Sequence, residues 1–330
     1  MSRYDRQMRI EGWDQEKVSK ATVLVAGVGA LGSFIATNMA LSGVGQLILV
    51  DMDTIETSNL NRQLLFRKRD VRKYKSEVAA RRLRRLNPDI DIVSLPERLE
   101  TIKRTHYEKA DVIVAGLDSF DARRWLNSLV VDKKKPLISG GMYGLMGHVQ
   151  RIIPFETPCF ECQPLIPQEK LSQACSPLGE KRKDQPKKPE APMPAVATMS
   201  MIIGGIISQE AIKHIMKLGE PLDNYLFYDG KSNTTTVLHL ERKFNCPVCG
   251  GFYALDEATL TVEDGETIGD LSTRVAFAFG LADPKIMLKG VILDKEIIIS
   301  KKNLKSGSKL FVMDERLAKP LKLIIQKHMD

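Results

Sequence analysis

Thr22 to Ser33 reads TVLVAGVGALGS, and this stretch decides the fold. An apolar, β-branched run ends in Gly27-x-Gly29-x-x-Gly32, and an apolar helix pattern follows. The spacing predicts a strand, a tight turn and a helix. The first glycine permits the turn, the second lets backbone approach a phosphate, and the third lets the helix pack on the strand. The helix N-terminus then offers unpaired N–H groups to an anion. A second strand, Gln46 to Val50, ends at Asp51, 19 residues after Gly32, where a carboxylate can grip ribose hydroxyls. Alone, the motif implies a Rossmann-like, doubly wound α/β fold for a nucleotide, with a nicotinamide-dependent dehydrogenase as its default reading.

The residues that follow depart from a dehydrogenase. After Asp51 and Asp53 comes the polar cluster Ser58-Asn59-Leu60-Asn61-Arg62-Gln63, and Lys75, with twelve residues between it and Arg62, opens a helix. An arginine fork and a lysine point charge converging on the glycine loop would neutralise a triphosphate, which a dinucleotide does not require. Asp111 to Gly116, DVIVAG, reads as another buried strand and ends at Leu117-Asp118-Ser119. A carboxylate at the C-terminal end of a strand, beside phosphates, suits Mg²⁺. The alternative is that Asp118 caps the next helix, Asp121 to Val131.

Of the five cysteines, four form two Cys-x-x-Cys pairs, Cys159/Cys162 and Cys246/Cys249, with 83 residues between the pairs. Two such knuckles supply the four thiolates of a tetrahedral Zn²⁺, and a closed Cys₄ set with no open position is structural rather than catalytic. Two disulfides are the alternative. Cys175 is left over in Leu171 to Pro177, LSQACSP, ahead of a linker-like stretch, Glu180 to Pro194, with four prolines and five basic residues. Val196 to Leu218 reads as a core helix, with Met199, Ile202, Ile203 and Ile206 on helical spacing.

Length predicts about two domains, and 43% hydrophobic residues allow a sizeable core. The net charge of +8 lies wholly before Leu255: 37 basic residues face 29 acidic ones there, against 12 and 12 afterwards. Ten bases crowd into Arg67 to Arg85, yet aromatic residues are only 6% of the chain and give little platform for stacking bases. A nucleic-acid partner is therefore not expected. Met1 to Lys20 is charged throughout and the apolar run at Met201 to Ile207 is far short of a membrane span, so a cytoplasmic protein with no membrane partner is expected.

The tail alternates as a strand over Thr259 to Val262. Thr267 then caps a helix over Ile268 to Phe279, and strands follow at Lys285 to Leu288, Val291 to Leu293 and Lys309 to Met313. This order resembles a β-grasp domain, and LTVEDGETIGDL, IMLKGVILDKEI and LKSGSKLFVMD have a spacing similar to ubiquitin itself. The chain ends His328-Met329-Asp330, without the Gly-Gly of a transferable carrier, so the tail reads as a docking domain. The expected division is 1–252, holding the nucleotide fold, the Cys₄ site and a crossover loop at about 163–195, and 253–330.

Arg3-Tyr4-Asp5-Arg6-Gln7, VLVAGVGALG, LVDMDTIETSNLNRQLLF, the Lys75 helix, LDSFDARRWLN, the two knuckles and GGIISQEAIK together resemble the ubiquitin-activating enzyme superfamily, which includes MoeB and ThiF. The resemblance runs from about Arg3 to Gly250; Ser119 departs from it, since the family often has Asn there. It implies ATP as substrate, with Gly27, Gly29, Gly32, Asp51, Asp53 and Gln63 around the nucleotide, Asn59, Arg62 and Lys75 on phosphates, and Asp118 on Mg²⁺. It implies a homodimer in which Arg6 reaches the partner's ATP, and places Cys175 in the crossover loop as an acyl-accepting nucleophile. The implied activity is adenylation of the C-terminal glycine of a ubiquitin-like protein ending in Gly-Gly, then a thioester on Cys175 and transfer to a conjugating enzyme. The alternative within the family is an adenylyltransferase of a sulfur-carrier protein.

Overall fold

The computed structural model describes residues 2–162, 194–244, 246, 248–250, 258–263, 265–279, 281–300, 304–314, 317 and 320–327. The chain divides into two compact units. One comprises Met1–Ala122, Lys135–Ile152 and Pro164–Leu240; the other comprises Arg123–Lys134, Ile153–Gln163 and Glu241–Asp330. The second unit thus takes in more than the tail expected as a separate domain, because both cysteine knuckles and the helix behind the first one gather in it.

The first unit is built on the strand–turn–helix of the opening motif. β1 (Thr22–Ala26) runs into α2 (Ala30–Ser42), and α1 (Gln15–Lys20) precedes them. Then come β2 (Gln46–Val50), α3 (Lys75–Leu86), β3 (Asp91–Leu95), α4 (Arg104–Lys109), β4 (Val112–Ala115), β5 (Leu137–Tyr143), β6 (Met146–Ile152), α6 (Ala197–Met216), β7 (Tyr225–Asp229) and β8 (Thr234–Leu238). α5 (Phe120–Asp132) lies between β4 and β5 in sequence. The eight strands form one sheet in the order β3-β2-β1-β4-β5-β6-β7-β8. The first five are parallel, and β6 to β8 continue it antiparallel.

Period-2 alternation puts Val23 and Val25 of β1, Leu47 and Leu49 of β2, and Val112 and Val114 of β4 on one face. There they pack with Ile35 and Met39 of α2, Val78 and Leu83 of α3, and Ile203 and Ile207 of α6. α6 matches the expected helix within two residues at each end, but Ile202, expected in the core, is on its exposed face while Ile207 is buried. The reason is phase: Met199, Ile203 and Ile207 share one stripe at i, i+4, i+8, and Ile202 stands a quarter-turn off it.

Several of the ten bases in the stripe are tied to nearby protein groups. Arg67 donates to the carbonyls of Leu64 and Phe66, Arg82 to Leu65 and to the buried carboxylate of Asp70, and Arg84 to the carbonyl of Ile92. Among the described residues no helix is long and apolar enough to cross a membrane.

In the second unit, β9 (Ala258–Val262), α7 (Ile268–Phe279), β10 (Lys285–Leu288), β11 (Val291–Ile292), β12 (Lys309–Met313) and β13 (Leu321–Lys327) follow in order. Their sheet runs β11-β10-β12-β13-β9, with β9 parallel to β13 and the remaining pairs antiparallel. Lys289 and Gly290 both have positive φ, 50° and 85°, the mirror-image turn that closes a two-residue hairpin. Thr267 and Asp270 bond reciprocally through side chain and backbone at the start of α7, a capping box. Leu271 and Val275 of α7 pack with Leu310, Val312, Leu323 and Ile325. The strand β13 was not expected from sequence, although Leu321, Leu323 and Ile325 alternate inward along it.

Candidate functional site

The strand order reverses between β1 and β4, and in an open parallel sheet the crevice beyond the carboxyl ends of the strands at that point is where ligands bind. The loops after β1, β2 and β4 meet there. A Cβ at Gly116 would lie 2.6 Å from Leu31 Cβ, and one at Gly27 would lie 3.1 Å from Leu117, so the β4 end and the glycine loop touch.

Gly27 has φ of +81°, and a Cβ on Gly32 would stand 1.9 Å from the Gly27 carbonyl oxygen, so protein packing itself demands both. Gly29 is different. A Cβ there would meet only Gln63 Nε2, at 3.8 Å, so the protein leaves space in front of it, and as N-cap of α2 it supplies no side-chain acceptor to the first-turn N–H groups.

Asp51 is buried and its carboxylate accepts from two backbone N–H groups, Val28 in the glycine loop at 2.7 Å and Asp53 at 2.9 Å. Burial pushes its carboxyl above the ordinary 3.8, against the opposing pull of the Lys75 charge. Lys75 is buried too. Its Nζ lies 2.8 Å from Asp53 Oδ2, its N–H donates to the Asp53 carbonyl at 2.9 Å, and the neighbouring Ser76 hydroxyl donates to the Asp51 carbonyl at 3.1 Å. The first turn of α3 is thereby tied to the end of β2.

Asn59 is buried, and its Oδ1 takes the Glu56 N–H at 3.0 Å. Arg62 is partly exposed; its guanidinium donates to the Ser58 carbonyl at 2.7 Å and to Asn61 Oδ1 at 2.9 Å. Gln63 is buried, and among the described residues its Oε1 has no hydrogen-bond partner, an acceptor left open beside the glycine loop. Asp118 is exposed at the end of β4, and the residue that caps α5 is its neighbour: Ser119 Oγ accepts the Ala122 N–H at 3.4 Å. The helix therefore does not use the Asp118 carboxylate as its cap.

Arg6 stands exposed at the start of a short 3-10 turn in an N-terminal segment that is firmly tied down. Gln7 Nε2 donates to the Ser42 carbonyl at 2.8 Å, Arg3 to the Leu86 carbonyl at 2.9 Å, and Asn87 Nδ2 to the Tyr4 hydroxyl at 2.8 Å. Cys175 and the crossover loop lie outside the described residues.

In the second unit all four knuckle cysteines are buried free thiols whose sulfurs lie within 4.8 Å of one another. Cys159 Sγ is 3.5 Å from Cys246 Sγ, and Cys162 Sγ is 3.3 Å from Cys249 Sγ. Zinc–sulfur bonds of ~2.3 Å in a tetrahedron put sulfurs ~3.8 Å apart, so the set fits a Cys₄ zinc site. Burial pushes the Cys159 thiol well above its usual range, while thiol hydrogen bonds, from Cys159 first, pull Cys162 down. Four thiols this close cannot all ionise unless a cation takes up the charge. Sequence reading missed the residues behind the first knuckle: Arg124 Nε is 2.8 Å from Glu161 Oε1, and Asn127 Oδ1 accepts the Phe160 N–H at 3.0 Å.

The fold and the crevice define a nucleotide-binding α/β protein with a separate Cys₄ cluster. The profile of the ThiF family matches residues 4–248, and the chain belongs to that family of ATP-using adenylation enzymes. The sulfur carrier protein ThiS adenylyltransferase of Escherichia coli (strain K12) is 33% identical over 256 residues, which cover 76% of this chain and 95% of the relative. The NEDD8-activating enzyme E1 catalytic subunit of Caenorhabditis elegans is 28% identical over 395 aligned positions, 94% of this chain and 91% of the relative. Among solved structures, that of E. coli MccB with MccA-N7isoASN superposes with a TM-score of 0.63 at 26% identity, over 76% of this chain and 74% of that one.

Proposed function

We propose that the chain activates a ubiquitin-like protein by adenylating its C-terminal glycine, then takes the acyl group onto Cys175 and passes it to a conjugating enzyme. The observation that carries the choice of substrate is the second unit. Alignment with the NEDD8-activating catalytic subunit covers 94% of the chain and so leaves about 20 of its 330 residues outside. It must extend well into the β9–β13 segment, whereas the ThiS adenylyltransferase covers 76%. The β-grasp reading of the tail gains further support from its mixed five-stranded sheet, in which the first and last strands, β9 and β13, pair in parallel.

In this reading Asp51 holds the ribose, Gly29 leaves room for phosphate, and Asn59, Arg62 and Lys75 take the phosphates, with Gln63 and Asp53 beside them. Asp118 would hold Mg²⁺, which supplies charge neutralisation to the phosphates. Lys75 is paired with Asp53, so ATP phosphates compete for an ammonium already held at the right place.

The carrier's carboxylate is already ionised and needs no general base. Its oxygen attacks the α-phosphorus, the bond to pyrophosphate breaks, and the cationic side chains stabilise the charge that develops. The Cys175 thiolate then attacks the acyl carbon and AMP leaves. Zinc in the Cys₄ site would be structural.

The partner surfaces have chemistry that suits them. Along β12, Leu310 and Val312 point into the core, and Phe311 and Met313 lie exposed on the other face of the sheet. There Phe311 pairs with Met287 and Lys322, and Met313 with Lys285, giving an apolar face rimmed by lysines for the conjugating enzyme. In the first unit Tyr143, Leu145, Met146, Val196, Met201 and Ile202 are exposed around the β5–β6 hairpin and the start of α6, a surface suited to a second copy of the chain, with Arg6 reaching across.

The sulfur-carrier reading rests on the 33% identity to the ThiS adenylyltransferase. The two separate on one gel. Wild type and Cys175→Ala are incubated with ATP, Mg²⁺ and a ubiquitin-like protein from the same genome, then run with and without reductant. A reductant-sensitive adduct in wild type alone is expected; pyrophosphate exchange intact in both with no adduct in either would favour sulfur-carrier adenylation.

A further inference from the structure

The first cysteine knuckle is supported from behind by a helix. Its turn closes with Cys162 N–H to the Cys159 carbonyl at 3.1 Å, and both residues of its spacer are anchored to α5. Phe160 is held through its backbone N–H by Asn127 Oδ1, at 3.0 Å, and Glu161 through its carboxylate by Arg124 Nε, at 2.8 Å. Arg124 and Asn127 stand three residues apart, one above the other on one face of the helix. Asn127 is 0% exposed, Arg124 5% and Glu161 7%, so three polar side chains are buried behind one turn of four residues.

In the second knuckle, Cys246 N–H donates to the Lys243 carbonyl, Gly250 N–H to the Cys246 carbonyl, and Arg242 to the Cys249 carbonyl.

Burying a guanidinium and a carboxylate together is expensive, and a hydrophobic pair of the same volume often stabilises a protein as well or better. The pair therefore calls for a reason other than folding energy. Its net charge is near zero, so it does not offset the negative charge of four thiolates around a divalent cation. What it does is fix direction. An ion pair on one spacer residue and a hydrogen bond on the other leave the turn one orientation against α5, with Cys159 and Cys162 at its two ends.

The geometry points to Arg124, Asn127 and Glu161 as positioning residues of the metal centre: they hold the first knuckle in its ligating conformation before the metal arrives. This rests on the reading of the four thiols as a metal site. Groups that orient ligands in this way are worth roughly 10–100-fold in metal affinity.

The test uses the full chain, reduced, stripped with chelator and titrated with Co²⁺, whose sulfur charge-transfer absorption reports binding. Two variants probe the support by different routes. Asn127→Leu removes the acceptor of the Phe160 N–H, and the double variant Arg124→Leu/Glu161→Leu removes both charges, so that neither is left buried alone. Thermal melts are recorded for each with and without metal. Wild type is expected to bind one Co²⁺ per chain, displaced by Zn²⁺, and both variants to bind it roughly 10–100-fold more weakly. Their metal-free melting temperatures should stay near that of metal-free wild type, and the upward shift on adding metal should shrink. A role in folding alone predicts the opposite: unchanged Co²⁺ affinity, with metal-free and metal-loaded melts lowered together, which overturns the inference. Wild type that takes up no Co²⁺ fails at an earlier step and overturns the metal reading itself.

Discussion

Asp51 concentrates several demands on one carboxylate. It ties β2 to the glycine loop through the Val28 N–H and steadies the turn toward Asp53, and in the proposed site it also meets the ribose. Burial raises its pKa above 3.8, and the sign of the consequence follows. A carboxyl whose folded pKa lies above its unfolded one contributes stability that is complete below about pH 3.8 and is lost as pH rises through the raised value. Ionised Asp51 is thus a stability cost accepted near neutral pH, where the ribose needs an acceptor. We expect the KM for ATP to rise as pH falls, on a limb whose midpoint lies above 3.8. In Asp51→Ala that limb should disappear and affinity drop at every pH by roughly tenfold or more, the range of a hydrogen bond to a charged group. An identical pH profile in wild type and variant would remove Asp51 from the nucleotide site.

At the scale of elements, the strand–turn–helix at Thr22 to Ser42 carries two kinds of glycine. Gly32 is fixed by the protein's own packing, since its Cβ would stand 1.9 Å from the Gly27 carbonyl oxygen, while Gly29 has open space before it. Gly32→Ala should therefore lower the melting temperature, with a loss of roughly 1–3 kcal/mol or more from overpacking. Gly29→Ala should melt close to wild type yet lose ATP affinity, because its methyl group occupies the path of a phosphate. Calorimetry and nucleotide binding on the two variants separate these effects, and equal loss of stability in both would contradict the assignment.

These elements were the most legible part of the sequence. Continuous apolar runs located β1 and β2, which are buried on both faces, and helical periodicity located α3, α5 and α7 to within a residue or so. The alternation of β13 is legible in Leu321, Leu323 and Ile325, although lysines interrupt the stretch around it. The Cys₄ cluster was readable because Cys-x-x-Cys spacing constrains side-chain geometry locally. What sequence could not show was tertiary pairing: Arg124 with Glu161 and Lys75 with Asp53. Such contacts join positions 22 and 37 residues apart with no period to announce them.

For the whole molecule, the proposed adenylation site lies in the first unit, and the Cys₄ cluster and a second sheet lie in the other. The parallel sheet brings the ends of β1, β2 and β4 together, and that convergence is what lets one chain gather glycine loop, carboxylates and cations from positions spread between Gly27 and Asp118. The Ser119 cap frees the neighbouring carboxylate from helix duty. Lys75 and Asp118 belong to different elements of the proposed site, so a shared defect in their variants would report on the reaction rather than on one local structure.

The most direct test is ATP–pyrophosphate exchange driven by a ubiquitin-like protein, compared among wild type, Lys75→Ala, Asp118→Asn and Cys175→Ala. The account predicts exchange in wild type that requires the carrier's free C-terminal carboxylate and survives in Cys175→Ala. Lys75→Ala and Asp118→Asn should lose it by roughly 10²–10³-fold, the scale seen when one group stabilising transition-state charge is removed. Exchange that proceeds undiminished in both variants, or that never depends on a carrier, would contradict it.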